Sequence, residues 1–178
     1  MAVLVEANSI IIKISVIEDK FPGGLEAFED DCPNQTYCDD ISIVRIGFMS
    51  TVDVGSYIKY LQRMKFVYIK DNKAIDFVVA DQIHGLAAKC DWLEFGYAYI
   101  HEDTSKKVSA CQAVDDNLKI MFTPDGWEYE GSLSQTYSFA PNEHIDKSLT
   151  FLRHDDGLDV YYDKLTGKEA YIGRVFEK

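Results

Sequence analysis

Residues 41–81 read ISIVRIGFMSTVDVGSYIKYLQRMKFVYIKDNKAIDFVVAD, and they carry the most agreeing local signals in the chain. Ser50 stands before a helical pattern with Asp53 three residues on, a capping-box-like start that satisfies free backbone N–H groups. Val54, Tyr57, Ile58 and Leu61 then fall at i, i+3, i+4 and i+7, so one face of a helix over 51–64 is apolar. Phe66 to Ile69 and Ile75 to Val79 are rich in β-branched and aromatic residues, with Asp71-Asn72-Lys73 between them as turn chemistry. A strand from Ile41, a capped helix and two further strands fix a layer of helix on sheet.

Upstream, Ala2 to Glu6 makes a short strand. Asn8 or Ser9 caps an apolar segment whose Ile10, Ile11, Ile14 and Ile17 keep helical spacing, although isoleucine itself favours strand. Phe21-Pro22-Gly23-Gly24 breaks that segment, Leu25 to Asp31 forms a short acidic helix, and Gln35 to Cys38 a strand. The order β-α-β-β-α-β over 2–70 resembles a ferredoxin-like split layer in architecture, and suits related α+β sandwiches such as vicinal-oxygen-chelate half-units.

Beyond Asp81 the helical period fades. Trp92 to Ile100, Val108 to Val114, Leu118 to Phe122 and Leu133 to Phe139 read as strands. Pro124-Asp125-Gly126 is a turn, Leu149 to His154 and Leu158 to Tyr162 form a hairpin, and Ala170 to Phe176 closes the chain. The expected architecture is an α+β fold: a helix-on-sheet half over 1–81, continued by a mostly antiparallel β-meander over 82–178. No linker separates the halves, so one continuous core is expected.

The 178 residues carry a formal net charge of −12, with 47% hydrophobic and 27% charged residues. That charge repels phosphate backbones and anionic membranes, which argues against nucleic-acid or membrane partners and in favour of a basic protein partner. Residues 1–17 lack a basic n-region and a cleavage site, so a cytoplasmic location with Cys32, Cys38, Cys90 and Cys111 reduced is expected.

Motif chemistry is thin. His101-Glu102 lacks the second histidine of a zinc-protease helix, and Cys32 and Cys38 are too far apart for a zinc knuckle. Gly167-Lys168 lacks the rest of a phosphate loop, and Asp155 to Asp159 lacks the closing glutamate of an EF-hand. Neither a metal nor a cofactor is expected. The one local cluster with acid–base or thiol potential is His84, Cys90 and Glu94, yet Asp91 and Glu94 work against a Cys90 thiolate.

Eleven tyrosines suit interfaces and pocket mouths as well as strands. The densest acidic region spans Glu26 to Asp40; Glu29, Asp30, Asp31, Asp39, Asp40 and Tyr37 are its candidate binding residues, with Tyr161 and Tyr162 as a second candidate pair. The expected function is non-catalytic engagement of a basic macromolecule by a stand-alone, bacterial-style protein, for instance as an immunity-type inhibitor. The competing expectation is a small-molecule-binding protein or enzyme with an aromatic-lined pocket between the halves.

Overall fold

The computed structural model describes residues 1–100, 103–116 and 120–129, together with the backbone of 149–155, 158–163 and 168–173. The protein is a mixed α+β fold whose strands pair mostly antiparallel. Its first sheet has the order β3-β4-β2-β7-β8 and is antiparallel throughout. These strands are β3 (Cys38–Asp39), β4 (Ile43–Phe48), β2 (Asn8–Lys13), β7 (Phe77–Asp81) and β8 (Gly85–Leu86). A second sheet has the order β11-β1-β10-β9, from β11 (Met121–Phe122), β1 (Ala2–Val5), β10 (Lys107–Ala113) and β9 (Leu93–Tyr99). A third is the meander of β12 (Leu149–Asp155), β13 (Leu158–Asp163) and β14 (Lys168–Gly173), which contains the expected hairpin.

Three helices occur among the described residues: α1 (Ile14–Lys20), α2 (Gly24–Asp30) and α3 (Thr51–Arg63). They cover one face of the first sheet. Ile17, Phe28, Val54, Tyr57 and Leu61 pack there on Ile10, Ile12, Val44, Ile46, Phe77 and Val79. The other face carries Ile11, Ile43, Val78 and Ala80, which meet Val3, Val5, Leu93 and Cys111 of the second sheet. The first sheet is thus the middle of three layers, helices on one side and a sheet on the other.

That sandwich explains why residues 8–13 are not helical. Ile10, Ile11 and Ile12 are all fully buried because the strand faces core on both sides, which calls for a continuous apolar run. The helical spacing of the isoleucines is incidental, and the helix starts only at Ile14. Ala2–Val5 likewise is not the first strand of the helix-covered sheet: it crosses to the second sheet and pairs with β10. The ferredoxin-like run expected with that strand first is therefore not formed.

Smaller corrections have local causes. Of the expected Gln35 to Cys38 strand only Cys38 pairs, together with Asp39 from the expected turn, because Asn34 and Thr36 are occupied in side-chain bonds to Gly47. The Phe66 to Ile69 strand shrinks to β5 (Ile69–Lys70), joined to β6 (Lys73–Ala74) by Asp71 and Asn72 at φ 52° and 64°. Two left-handed residues in succession make the tight hairpin turn that matches strand twist. The Leu133 to Phe139 strand and the polar connection after it lie outside the described residues.

Candidate functional site

The acidic region folds into one face built by α2, the loop over 31–40 and α3. Pro22 and two left-handed glycines, Gly23 at φ 93° and Gly24 at φ 69°, turn the chain into α2. Phe28 anchors this helix, its ring edge-on to Phe21 at 5.1 Å, and leaves Glu26, Glu29 and Asp30 exposed. Glu29 and Asp30 sit in the last turn, where no basic residue is found. Carboxylates at that end oppose the helix dipole, so the sequence departs here from what helix stability favours.

The loop that follows is held from beneath. Thr36 Oγ1 accepts the Gly47 N–H at 2.7 Å, and Asn34 Nδ2 donates to the Gly47 carbonyl at 2.9 Å. Arg45, 2% exposed, donates from Nη1 to the Thr36 carbonyl (3.0 Å), from Nη2 to the Glu6 carbonyl (3.2 Å) and from Nε to Ser9 Oγ (2.9 Å). Burial pulls the pKa of this guanidinium below its ordinary value. Gly47 makes room for it: a Cβ there would lie 2.4 Å from Arg45 Nη2.

On this support stand the aromatic members. Tyr60 Oη donates to Asp31 Oδ2 and stacks on Tyr57 with ring centroids 5.5 Å apart. Burial, then the hydrogen bond to Asp31 and its charge, push the Tyr60 phenol above its ordinary pKa. Tyr37 is raised by burial and then by Asp39 and Glu29. Cys32, donating from Sγ to the Phe28 carbonyl, is pushed up to about 12 by burial, then by Asp31 and Glu29. The tyrosines and the thiol therefore stay neutral at pH 7, and the carboxylates supply the charge. A thiol so placed is a poor nucleophile.

Two neighbouring aspartates part company. Asp39 is partly exposed, its pKa raised by burial against the opposing effect of Tyr37. Asp40 is buried, and its Oδ1 accepts from the N–H groups of Ser42 (2.6 Å) and Ile43 (2.8 Å). Asp40 builds the turn into β4 and is not part of the exposed face.

His84, Cys90 and Glu94 occupy three different surroundings. The His84 side chain is 83% exposed and lies 2.9 Å from Asp81 Oδ1 through Nδ1. Cys90 packs against the core between the two sheets, where burial raises its pKa. Glu94 is exposed on β9, with Gln112 Nε2 at 3.5 Å. Tyr161 and Tyr162 lie on β13, in register with Phe151 and Thr150 of β12.

A cavity of about 1030 Å³ opens on the second sheet, with none of its lining from the helices. Ala2, Gly96, Ala98, Ala110, Phe95, Tyr97, Tyr99 and Trp127 are among the residues along it. Trp127 Nε1 donates to Glu6 Oε2 at 3.0 Å. Among the described residues no three His, Cys, Asp or Glu side chains gather as a metal site, and no helix is long and apolar enough to cross a membrane.

Sequence reasoning missed Arg45, Gly47 and Tyr60. Arg45 was open to detection as a lone charge between Val44 and Ile46 in an apolar strand, but its partners come from distant segments.

Fold and surface together define an acidic α+β protein of three layers with a tyrosine-bearing carboxylate face. No family model, curated protein or solved structure matches the chain.

Proposed function

We propose that this is a non-catalytic binding protein whose acidic face engages a basic macromolecular partner, in the manner of an immunity-type inhibitor. The observation that carries the reading is the exposed carboxylate row Glu26, Glu29 and Asp30, which has no ion pair with lysine or arginine among the described residues. Beside it, Tyr37 and Tyr60 offer rigid rings that lose little conformational freedom on binding. The net charge of −12 adds long-range attraction for a basic surface. Affinity capture from the protein's own source, with identification of what is retained, tests this. A basic protein whose capture is lost in Glu29→Lys/Asp30→Lys supports the reading, and capture indifferent to those changes removes it.

The cavity over Gly96 favours a second reading, a small-molecule-binding protein, since its volume and aromatic lining suit an organic ligand. Native mass spectrometry of freshly purified protein separates the two: retained small-molecule mass supports the cavity, a bare chain the acidic face.

A further inference from the structure

Among the described residues, the second sheet ends in a strand whose outer edge is unpaired. In the order β11-β1-β10-β9, β9 is hydrogen-bonded only to β10 among the described residues. The other outer strands of the first and second sheets, β3, β8 and β11, are two residues long. Such short edges are a common means of preventing strand addition. β9 is the exception: it runs seven residues, LEFGYAY, with no proline, lysine or arginine.

The ladder decides which backbone groups face out. Val114 N–H donates to the Trp92 carbonyl at 3.2 Å, and Ile100 N–H to the Lys106 carbonyl at 3.0 Å. Bonded and non-bonded residues alternate in an antiparallel pair, so Glu94, Gly96 and Ala98 also turn their backbone groups toward β10. Phe95, Tyr97 and Tyr99 then present N–H and C=O to the open side. Tyr97 and Tyr99 are 54% and 50% exposed.

We propose that this edge pairs with itself: a second copy of the chain adds its β9 antiparallel across a two-fold axis at Gly96, fusing two four-stranded sheets into one. Centred there, the full seven residues pair. Phe95 of one copy faces Tyr97 of the other, and Leu93 faces Tyr99. Outward-bonding residues meet outward-bonding residues, whereas a one-residue slip of one strand puts them against residues whose groups are already bonded to β10. Gly96 falls where the two backbones come closest, at a non-hydrogen-bonded pair.

One further observation agrees. A Cβ at Gly96 would meet nothing within 4 Å, so packing within one copy does not require glycine there. Glycine in a strand interior weakens it, and a close approach by a second backbone gives the residue a reason. A seam of one strand pair is small beside the roughly 1,200–2,000 Å² of a stable interface, so the dimer dissociates on dilution.

Sedimentation velocity of the full chain over a concentration series tests this, in about 0.15 M salt so that the like net charges are screened. The wild type is expected to move from monomer to dimer as concentration rises. Tyr97→Lys places a charge on the seam, and Gly96→Val places bulk at the axis in a position open within one copy. Each is expected to weaken dimerisation by about tenfold or more, with the circular dichroism and thermal unfolding of the monomer retained. A wild type that stays monomeric throughout, or a dimer that either substitution leaves unchanged, overturns the proposal.

Discussion

Ala7 and Gln82 hold each other from both sides. The Ala7 N–H donates to Gln82 Oε1 at 2.7 Å, and the Gln82 N–H donates to the Ala7 carbonyl at 2.9 Å. Ala7 has φ 50°, the left-handed region, and it is the corner at which the chain leaves the second sheet and enters the first. An alanine pays about 1–2 kcal/mol for that conformation, so the clasp from Gln82 is what keeps the corner closed.

Gln82→Ala leaves the Ala7 N–H buried and unpaired, with an expected loss of about 1–3 kcal/mol. Ala7→Gly has the opposite sign. It relieves the left-handed strain and returns about 0.5–1 kcal/mol of that in chain entropy, for a net gain of about 0.5–1 kcal/mol. Urea denaturation of both variants checks the pair of signs.

Gly47→Ala directs a methyl group at the Arg45 guanidinium, whose Nη2 and Cζ would lie 2.4 and 2.7 Å away. A free arginine would swing aside, but this one is buried and bonded to Ser9, Thr36 and Glu6. The expected cost is about 1–3 kcal/mol. The loop bearing Tyr37 is expected to loosen, which amide exchange at Thr36 and Tyr37 reports.

Leu61 is fully buried in the layer between α3 and the first sheet. Leu61→Ala removes those methyl groups and leaves a cavity, at an expected cost of about 2–5 kcal/mol. A denaturation midpoint unchanged from wild type places the wrong face of α3 on the sheet.

All four cysteines are free thiols: Cys32 and Cys38 are pushed up to about 12 and 11 by burial, and Cys90 and Cys111 are raised by the same cause. An unfolded thiol ionises near 8.5. Because the folded values lie above it, this contribution to stability is complete below about pH 8.5 and is lost as pH rises toward 11 to 12. The slope approaches about 1.4 kcal/mol per pH unit for each of Cys32 and Cys38. Denaturation midpoints at pH 8 and 10 measure the fall. At pH 8, DTNB is expected to react with four thiols in denatured protein and far more slowly in native protein.

Local signals carried the reading of α3, from the Ser50 cap to Leu61, and of the 149–163 hairpin, because a capping side chain or a turn sits beside what it organises. Burial on two faces is not local. Ile10 to Ile12 look helical until a second sheet is known to cover them, and no residue type announces the Ala7 corner, where glycine would be the usual signal. The site was legible as charge but not as geometry. Composition treats Asp39 and Asp40 alike, whereas one edges the acidic face and the other is used up in a turn. The edge position of β9 among the described residues follows from the order of the second sheet, to which Ala2–Val5 contributes from the start of the sequence.

The central claim, that the carboxylate row on α2 steers a basic partner, is tested most directly by association rates with the captured partner. Wild type and Glu29→Lys/Asp30→Lys are compared at about 0.05 and 0.5 M salt, across which the Debye length falls from about 14 to 4 Å. The account predicts fast association of the wild type at low salt, at least tenfold slower in the double variant, with the two rates converging at high salt. Equal rates at low salt, or a wild-type rate indifferent to salt, would contradict it.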